Sequence, residues 1–303
     1  MITVVLLSPA LDVTYLVDEV RVGAIHRPST VLRSAGGKGL NVARAARRLR
    51  TDAHVVMPVG GQTGALVAEL ATAEGVTVST VAVHGLTRSC VTAIDGVGLT
   101  EFYEPAPVLT ADEQERIFTT LAAVPAGGWT VLSGSIPAGI DTTHLREALA
   151  QRSARGDAIA IDTHGPMLGI LADELRPALV KVNRHEVAEL LGRDDSAGVL
   201  AAGLRARTGG TVIVTDGAAG SFGIDETGIW RAQLDAAPGL FPVGSGDSYL
   251  AGVLVALTQG QSLATALAVA SGAASANAAV PGAATFDAEL ARQLAARTVV
   301  TAL

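Results

Sequence analysis

The chain has 303 residues, 49% of them hydrophobic and 17% charged, with 34 glycines and a net charge of −7 from 22 basic against 29 acidic side chains. That length suits one α/β unit with an appendage, and so apolar a chain is not a disordered one. The acidic balance lacks any basic block of five or more and so argues against a nucleic-acid partner, while a lone cysteine, Cys90, excludes an intramolecular disulfide and a cysteine-based zinc site.

The N-terminus has no basic n-region and too few apolar residues for a signal peptide, so a cytoplasmic location is expected. Its β-branched run 2–7 is the first predicted strand. Residues 11–34 read as strands with no helix between them, at 13–17 and 31–32. A helix is predicted over 39–50, with Arg44, Arg47, Arg48 and Arg50 on its wet face. A strand at 54–59 and a helix at 62–74 follow. Residues 87–108 are again strands alone, 91–94 and 101–103, with Asp95-Gly96 as a hairpin-turn signal. The helix-free segments 11–34 and 87–108 read as a small β-sheet projecting from the main body; edge strands of the central sheet are the alternative.

Beyond them, helices at 111–123, 141–155, 184–192 and 196–208 interleave with strands at 130–132, 158–162, 179–182 and 211–215. This alternation predicts right-handed βαβ units and a mainly parallel sheet covered on both faces. The last third is helical: Leu250, Val253, Leu254 and Leu257 keep the spacing of a core-facing stripe. The alanine-rich run 263–280 approaches membrane-span length, but Ser271, Ser275 and Asn277 interrupt it, so a buried helix is expected and no membrane partner.

Three glycine-bearing or polar stretches could carry chemistry. Gly244-Ser-Gly-Asp247 opens a helix, where backbone N–H groups and the helix dipole attract an anion and an Asp can accept a proton from an attacking hydroxyl. A plain first-turn carboxylate is the alternative. Ala35-Gly-Gly-Lys-Gly-Leu-Asn41 opens another helix; with Gly39 after the Lys it is not a Walker A loop, and Lys38 and Asn41 are its polar donors, or it is a tight turn with an exposed Lys. Lys181-Val-Asn-Arg-His-Glu186 follows a strand, where a carboxylate and an amide can order Mg²⁺ through water, or simply form a solvated helical turn. Thr215-Asp-Gly-Ala-Ala-Gly220 is a turn that could pass a nucleotide phosphate. The six histidines show no metal-ligand spacing and no G-x-S-x-G elbow is present.

In this order these stretches resemble the ribokinase-like carbohydrate kinases, and within them the phosphofructokinase-B group. Gly36-Gly-Lys-Gly-Leu-Asn-Val-Ala-Arg44 and Gly244-Ser-Gly-Asp-Ser-Tyr-Leu-Ala-Gly252 are the most specific matches, with Pro9-Ala-Leu-Asp12, Gly60-Gly-Gln-Thr-Gly64, Thr87-Arg88, Thr100-Glu101 and Leu132-Ser-Gly-Ser-Ile-Pro137 between them. The resemblance implies a three-layer α/β sandwich, one ribokinase-like domain over 1–303, with 11–34 and 87–108 as a β-sheet lid that often also pairs subunits into a homodimer. It implies ATP and Mg²⁺ as cofactors and Asp247 as the base, with the amides of Gly244, Ser245 and Gly246 as an anion hole. Asp12, Gly37, Lys38 and Asn41 are then sugar contacts, Asn183 and Glu186 the magnesium-ordering pair. Lys181, Asn183, Thr215, Gly217, Gly220 and Asn277 fall to the nucleotide.

Arg27, Lys38 and Arg88 resemble the anion clamp of hexose-phosphate kinases, which suits a phosphorylated acceptor. Fructose 1-phosphate is the favoured substrate, with tagatose 6-phosphate and fructose 6-phosphate beside it. A kinase for a neutral sugar or nucleoside, and a non-catalytic sugar-phosphate sensor on the same fold, are the alternatives. Two departures stand out. Phe241-Pro242 replaces the polar pair usual before the anion hole, which bears on ATP affinity and monovalent-cation activation, and Ser8 stands where sugar-phosphate members usually carry Asn.

Overall fold

The computed structural model describes residues 1–235 and 239–303. The apolar run after Met1 forms β1 (Ile2–Val5), buried on both faces as an interior parallel strand requires. β2 (Ala10–Leu16) and β3 (Thr30–Gly36) follow with no helix between, and α1 (Lys38–Arg48) starts directly behind Gly37. β4 (Ala53–Val59), α2 (Gly61–Ala73) and β5 (Thr77–Ala82) complete a βαβ unit. β6 (Arg88–Ile94) and β7 (Leu99–Tyr103) form a hairpin turned by Asp95, whose carboxylate accepts from the Val97 and Gly98 amides.

The alternation then runs through α3 (Ala111–Ala123), β8 (Trp129–Ser133), α4 (Thr142–Ala154), β9 (Ala158–Asp162), α5 (Pro166–Leu175) and β10 (Leu179–Asn183). α6 (Arg184–Leu191), α7 (Ala197–Thr208) and β11 (Thr211–Thr215) come next, before a hairpin of β12 (Ser221–Ile224) and β13 (Ile229–Gln233). α8 (Ser245–Thr258), α9 (Leu263–Ala278), α10 (Ala288–Arg297) and β14 (Val299–Ala302) close the described chain.

Ten strands form one sheet in the order β14-β13-β12-β11-β10-β9-β8-β1-β4-β5. From β11 to β5 every neighbour is parallel, whereas β11–β12, β12–β13 and β13–β14 are antiparallel. One buried apolar layer joins the sheet to α1, α2, α8, α9 and α10, and a second joins its other face to α3, α4, α5, α6 and α7. This is the expected three-layer sandwich. Residues of α9 such as Leu267, Ala270 and Ala273 are fully buried, and no helix among the described residues is long and apolar enough to cross a membrane.

The helix-free segments form a separate four-stranded sheet, β3-β2-β6-β7, rather than edges of the large one. Within it β2–β3 and β6–β7 are antiparallel and β2–β6 parallel. The sequence does not announce β5, α5 or the antiparallel extension β12–β14. β5 is a polar, half-exposed edge strand, so no apolar run marks it. The arginine cluster of α1 is also corrected: Arg47 and Arg50 are exposed, but Arg44 is buried at 4% exposure because its guanidinium finds partners on three neighbouring segments.

Candidate active site

The C-terminal ends of the parallel strands place Asp162, Asn183 and Thr215 along one rim of the large sheet, where ligands gather in α/β folds. The small sheet faces that rim across a cleft of about 680 Å³. Alternation along its strands turns Asp12, Thr14, Cys90, Thr92 and Glu101 toward the opening.

The head of α8 forms the floor. Gly244 adopts a left-handed conformation, φ 80°, and a Cβ there would lie 2.7 Å from that of Ala283, so only glycine lets the chain turn into the helix. The turn leaves the N–H groups of Gly246 and Asp247 without partners among the described residues, as first-turn amides are. Ser245 is different: its N–H donates to Pro242 O at 3.0 Å and its hydroxyl meets Asn277, so it is not part of the expected anion hole. Gly244 and Gly246 line the cleft.

Asp247 is buried, and Asn41 Nδ2 donates to its Oδ2 at 2.8 Å. Burial, and then the charge of Asp162, push its carboxyl up to about 6; Lys38, the Asn41 hydrogen bond and Lys181 pull it back. A carboxylate poised there is ionised at neutral pH yet basic enough to take a proton. Asp12, on β2, is also raised to about 6 by burial, against the lowering influence of Arg44 and Arg88. Its carboxyl group lies against Gly36, where an added Cβ would come within 2.1 Å of Cγ.

Asp162 was not singled out from sequence, where it only ended a predicted strand. It is fully buried, accepts from Lys181 Nζ at 3.1 Å, and keeps its Oδ1 at 3.7 Å from Lys38 Nζ. Burial pushes its carboxyl up, but the two ammonium groups outweigh this and hold it below the usual carboxylate range. Lys38 in turn is held above its ordinary value, chiefly by Asp162, and lies 3.9 Å from Glu186 Oε1. Lys181 packs against Gly246, with Nζ 3.2 Å from where a Cβ would sit. Two cations are thus fixed beside the head of α8, where negative charge would gather.

Asn183 and Glu186 form a capping box: each side chain accepts from the other's backbone N–H at 2.9 Å. Both still line the cleft. Among the described residues no group of three or more His, Cys, Asp or Glu could hold a metal ion. An amide and one carboxylate fit Mg²⁺ only through water, alongside phosphate oxygens of a ligand.

On the side of the cleft formed by the small sheet, Arg88 donates to Glu104 O at 3.2 Å and Ser8 O at 3.3 Å. Its Nε and the Ser8 hydroxyl are buried without a partner among the described residues, which is costly unless a ligand completes them. The remaining expected contacts divide between the cleft and places outside its lining. Arg27 is exposed on the β2–β3 connection, outside the cleft lining. Thr215 lines the cleft, but Gly217 is exposed beyond it, and Gly220 sits under Ala232 O, 2.2 Å from an added Cβ. Asn277 is fully buried; its Nδ2 donates to Val243 O and Ser245 Oγ and its Oδ1 accepts from Ala284 N, which braces the loop ahead of α8. Phe241 and Pro242 do line the cleft.

Residues 3–289 match the family model described as pfkB family carbohydrate kinase. Among solved structures, phosphofructokinase-2 from Escherichia coli in complex with potassium superposes at TM-score 0.91 and 24% identity over 97% of this chain and 98% of that one. The same enzyme with fructose-6-phosphate gives 0.88 at 24%, over the same shares. A protein described as a possible 1-phosphofructokinase from Thermotoga maritima gives 0.82 at 23%, over 100% of this chain and 99% of that one. At such identities these likenesses carry the fold.

Proposed function

Because the chain belongs to the pfkB family of carbohydrate kinases, we propose that it transfers the terminal phosphoryl group of ATP to a primary hydroxyl of a sugar phosphate, with fructose 1-phosphate first and tagatose 6-phosphate and fructose 6-phosphate next. The observation that carries this reading is the pairing, across one cleft, of the Asp247 carboxylate at the head of α8 with the unpartnered Arg88 Nε and Ser8 hydroxyl at the sugar end. One end offers a base, the other a cation and a donor for a phosphate.

Asp247 accepts the proton of the attacking hydroxyl as its oxygen bonds to the terminal phosphorus of ATP and the bond from that phosphorus to the bridging oxygen breaks, releasing ADP. The N–H groups of Gly246 and Asp247, with Lys38 and Lys181 beside them, stabilise charge on the group in transfer. Such transition states are loose, so positioning and electrostatics do most of the work. Asn183 and Glu186, which line the cleft, would hold Mg²⁺ through water, and the ion would supply neutralisation of charge on the donor phosphates. Asp12 orients acceptor hydroxyls; Arg88 attracts the acceptor phosphate. The proposal extends to one kinase domain, a cytoplasmic location and a homodimer paired through the lid.

A neutral sugar is the second reading, because Asp12 and Glu101 put two carboxylates on the acceptor side of the cleft, where they suit hydroxyls and repel phosphate. An assay of ADP release over sugars and sugar phosphates separates the two. Turnover confined to phosphorylated ketohexoses is expected, with Asp247→Asn lowering kcat by ~10²–10⁴-fold. Arg88→Ala should raise KM for the sugar phosphate at least tenfold, the order expected from a lost charged hydrogen bond; an unchanged KM removes Arg88 from the phosphate. Turnover on ribose or nucleosides alone favours the neutral-sugar reading. Binding without Asp247-dependent turnover leaves a sensor.

A further inference from the structure

The base of this site is held by a side chain that never touches it. Asp247 Oδ2 accepts from Asn41 Nδ2 at 2.8 Å, and Asn41 Oδ1 accepts from Arg44 Nη1 at 2.9 Å. An amide in this position has two orientations, and only one gives the carboxylate a donor. Arginine has donors and no acceptor, so the guanidinium admits only the Asn41 oxygen and thereby turns the NH₂ toward Asp247. Were the amide to flip, Oδ1 would face a carboxylate, and the ionised form of Asp247 would lose a donor and gain a repulsion.

Arg44 is itself locked. Nη1 also reaches Ala283 O at 3.0 Å, Nη2 reaches Ala35 O at 2.5 Å, and Nε reaches Glu74 Oε2 at 2.7 Å. These anchors lie at the end of β3, in the turn behind the head of α8, and after α2. The arginine lies one helical turn from Asn41 on α1, at i+3, which brings the two side chains to the same face.

We propose that Arg44 is a positioning residue for the phosphoryl-transfer reaction: it fixes the Asn41 amide so that Asp247 stays ionised and aimed. This rests on the reading of Asp247 as the base. The other charged groups facing Asp247 are Asp162 from β9, Lys38 from α1, Lys181 from β10 and Asp12 from β2, and none of them fixes the Asn41 amide.

The test is the pH profile of kcat in a double-mutant cycle of Arg44→Met and Asn41→Ala. Arg44→Met should lower kcat and move the acid limb up by about one pH unit, the worth of one hydrogen bond to a charged group. In the Asn41→Ala background the same substitution should move the limb no further, because the path through the amide is already cut. An additive shift would show that Arg44 acts by its charge on Asp12 and Asp247 directly, and would overturn the proposal. So would a fall in kcat with an unmoved limb, the mark of a merely structural role. Should Arg44→Met not accumulate folded, Arg44→Gln, which stays polar but gives up the charge and can accept as well as donate, carries the same cycle with the same criterion. Glu74→Gln, which removes a charge but keeps an acceptor for Arg44 Nε, serves as the control and should leave the limb in place. Wild-type protein with no Asp247-dependent turnover would instead sink the kinase reading itself, a separate result.

Discussion

A buried carboxylate that must remain charged is a burden on the fold that carries it. Asp247 is raised from 3.8 to about 6, first by burial and then by Asp162. A group whose folded pKa lies above its unfolded value binds more protons in the native state across that interval. Stability therefore falls as pH rises from about 4 to 6, and the penalty is fully present above it. Asparagine keeps the shape and can accept from Asn41 without the charge. Asp247→Asn should thus be more stable than the wild type at pH 7, by roughly 1–3 kcal/mol, and no more stable at pH 4. Urea titrations of both proteins at the two pH values check this. An equal difference at both would mean that ionisation of Asp247 costs the fold nothing. A variant that loses turnover while gaining stability is what a functional charge predicts.

At the scale of elements, α6 shows how one pair can serve two ends. Asn183 and Glu186 close a capping box, which alone explains Asn-x-x-Glu at a helix start. Only Oε2 of Glu186 is used there, and Oε1 faces Lys38 and the cleft. Glutamine can close the same box without the charge. Glu186→Gln should therefore leave the melting temperature nearly unchanged while raising the Mg²⁺ concentration for half-maximal activity by ~10- to 100-fold. An unchanged Mg²⁺ dependence would reduce the pair to a cap. Such elements were legible in the sequence because their signals are local: apolar runs, glycines before α1 and α8, Asp95-Gly96 between β6 and β7. Asp162 and Arg44 were not. A carboxylate ending an interior strand and an arginine in a basic cluster look ordinary until folding brings Lys38, Lys181 and Asn41 against them. Nor does anything local in the sequence announce that the Asn277 amide is buried against Val243, Ser245 and Ala284.

At the scale of the whole molecule, the small sheet does more than roof the cleft. Cross-strand register places Leu16 beside Ile94, Ile94 beside Leu99, and Thr14 beside Leu32. By alternation these share the face of Asp12, so the polar floor near Asp12 gives way outward to an apolar strip. Leu32 is 40% exposed, and β3 is an edge strand exposed from Thr30 to Arg33. An edge of this kind invites pairing. If two lids pair through the strip, each holds the other over its cleft, and water is kept from the phosphoryl group. Leu32→Glu puts a charge on that strip without entering the acceptor pocket. Sedimentation should show wild-type dimers and Leu32→Glu monomers, and the monomers should have a raised KM for the sugar with KM for ATP little changed, because the lid belongs to the acceptor side. Monomeric wild-type protein would remove the pairing altogether. Dimers that persist in the variant would move the interface off the lid, and closure would then have to be a property of one chain.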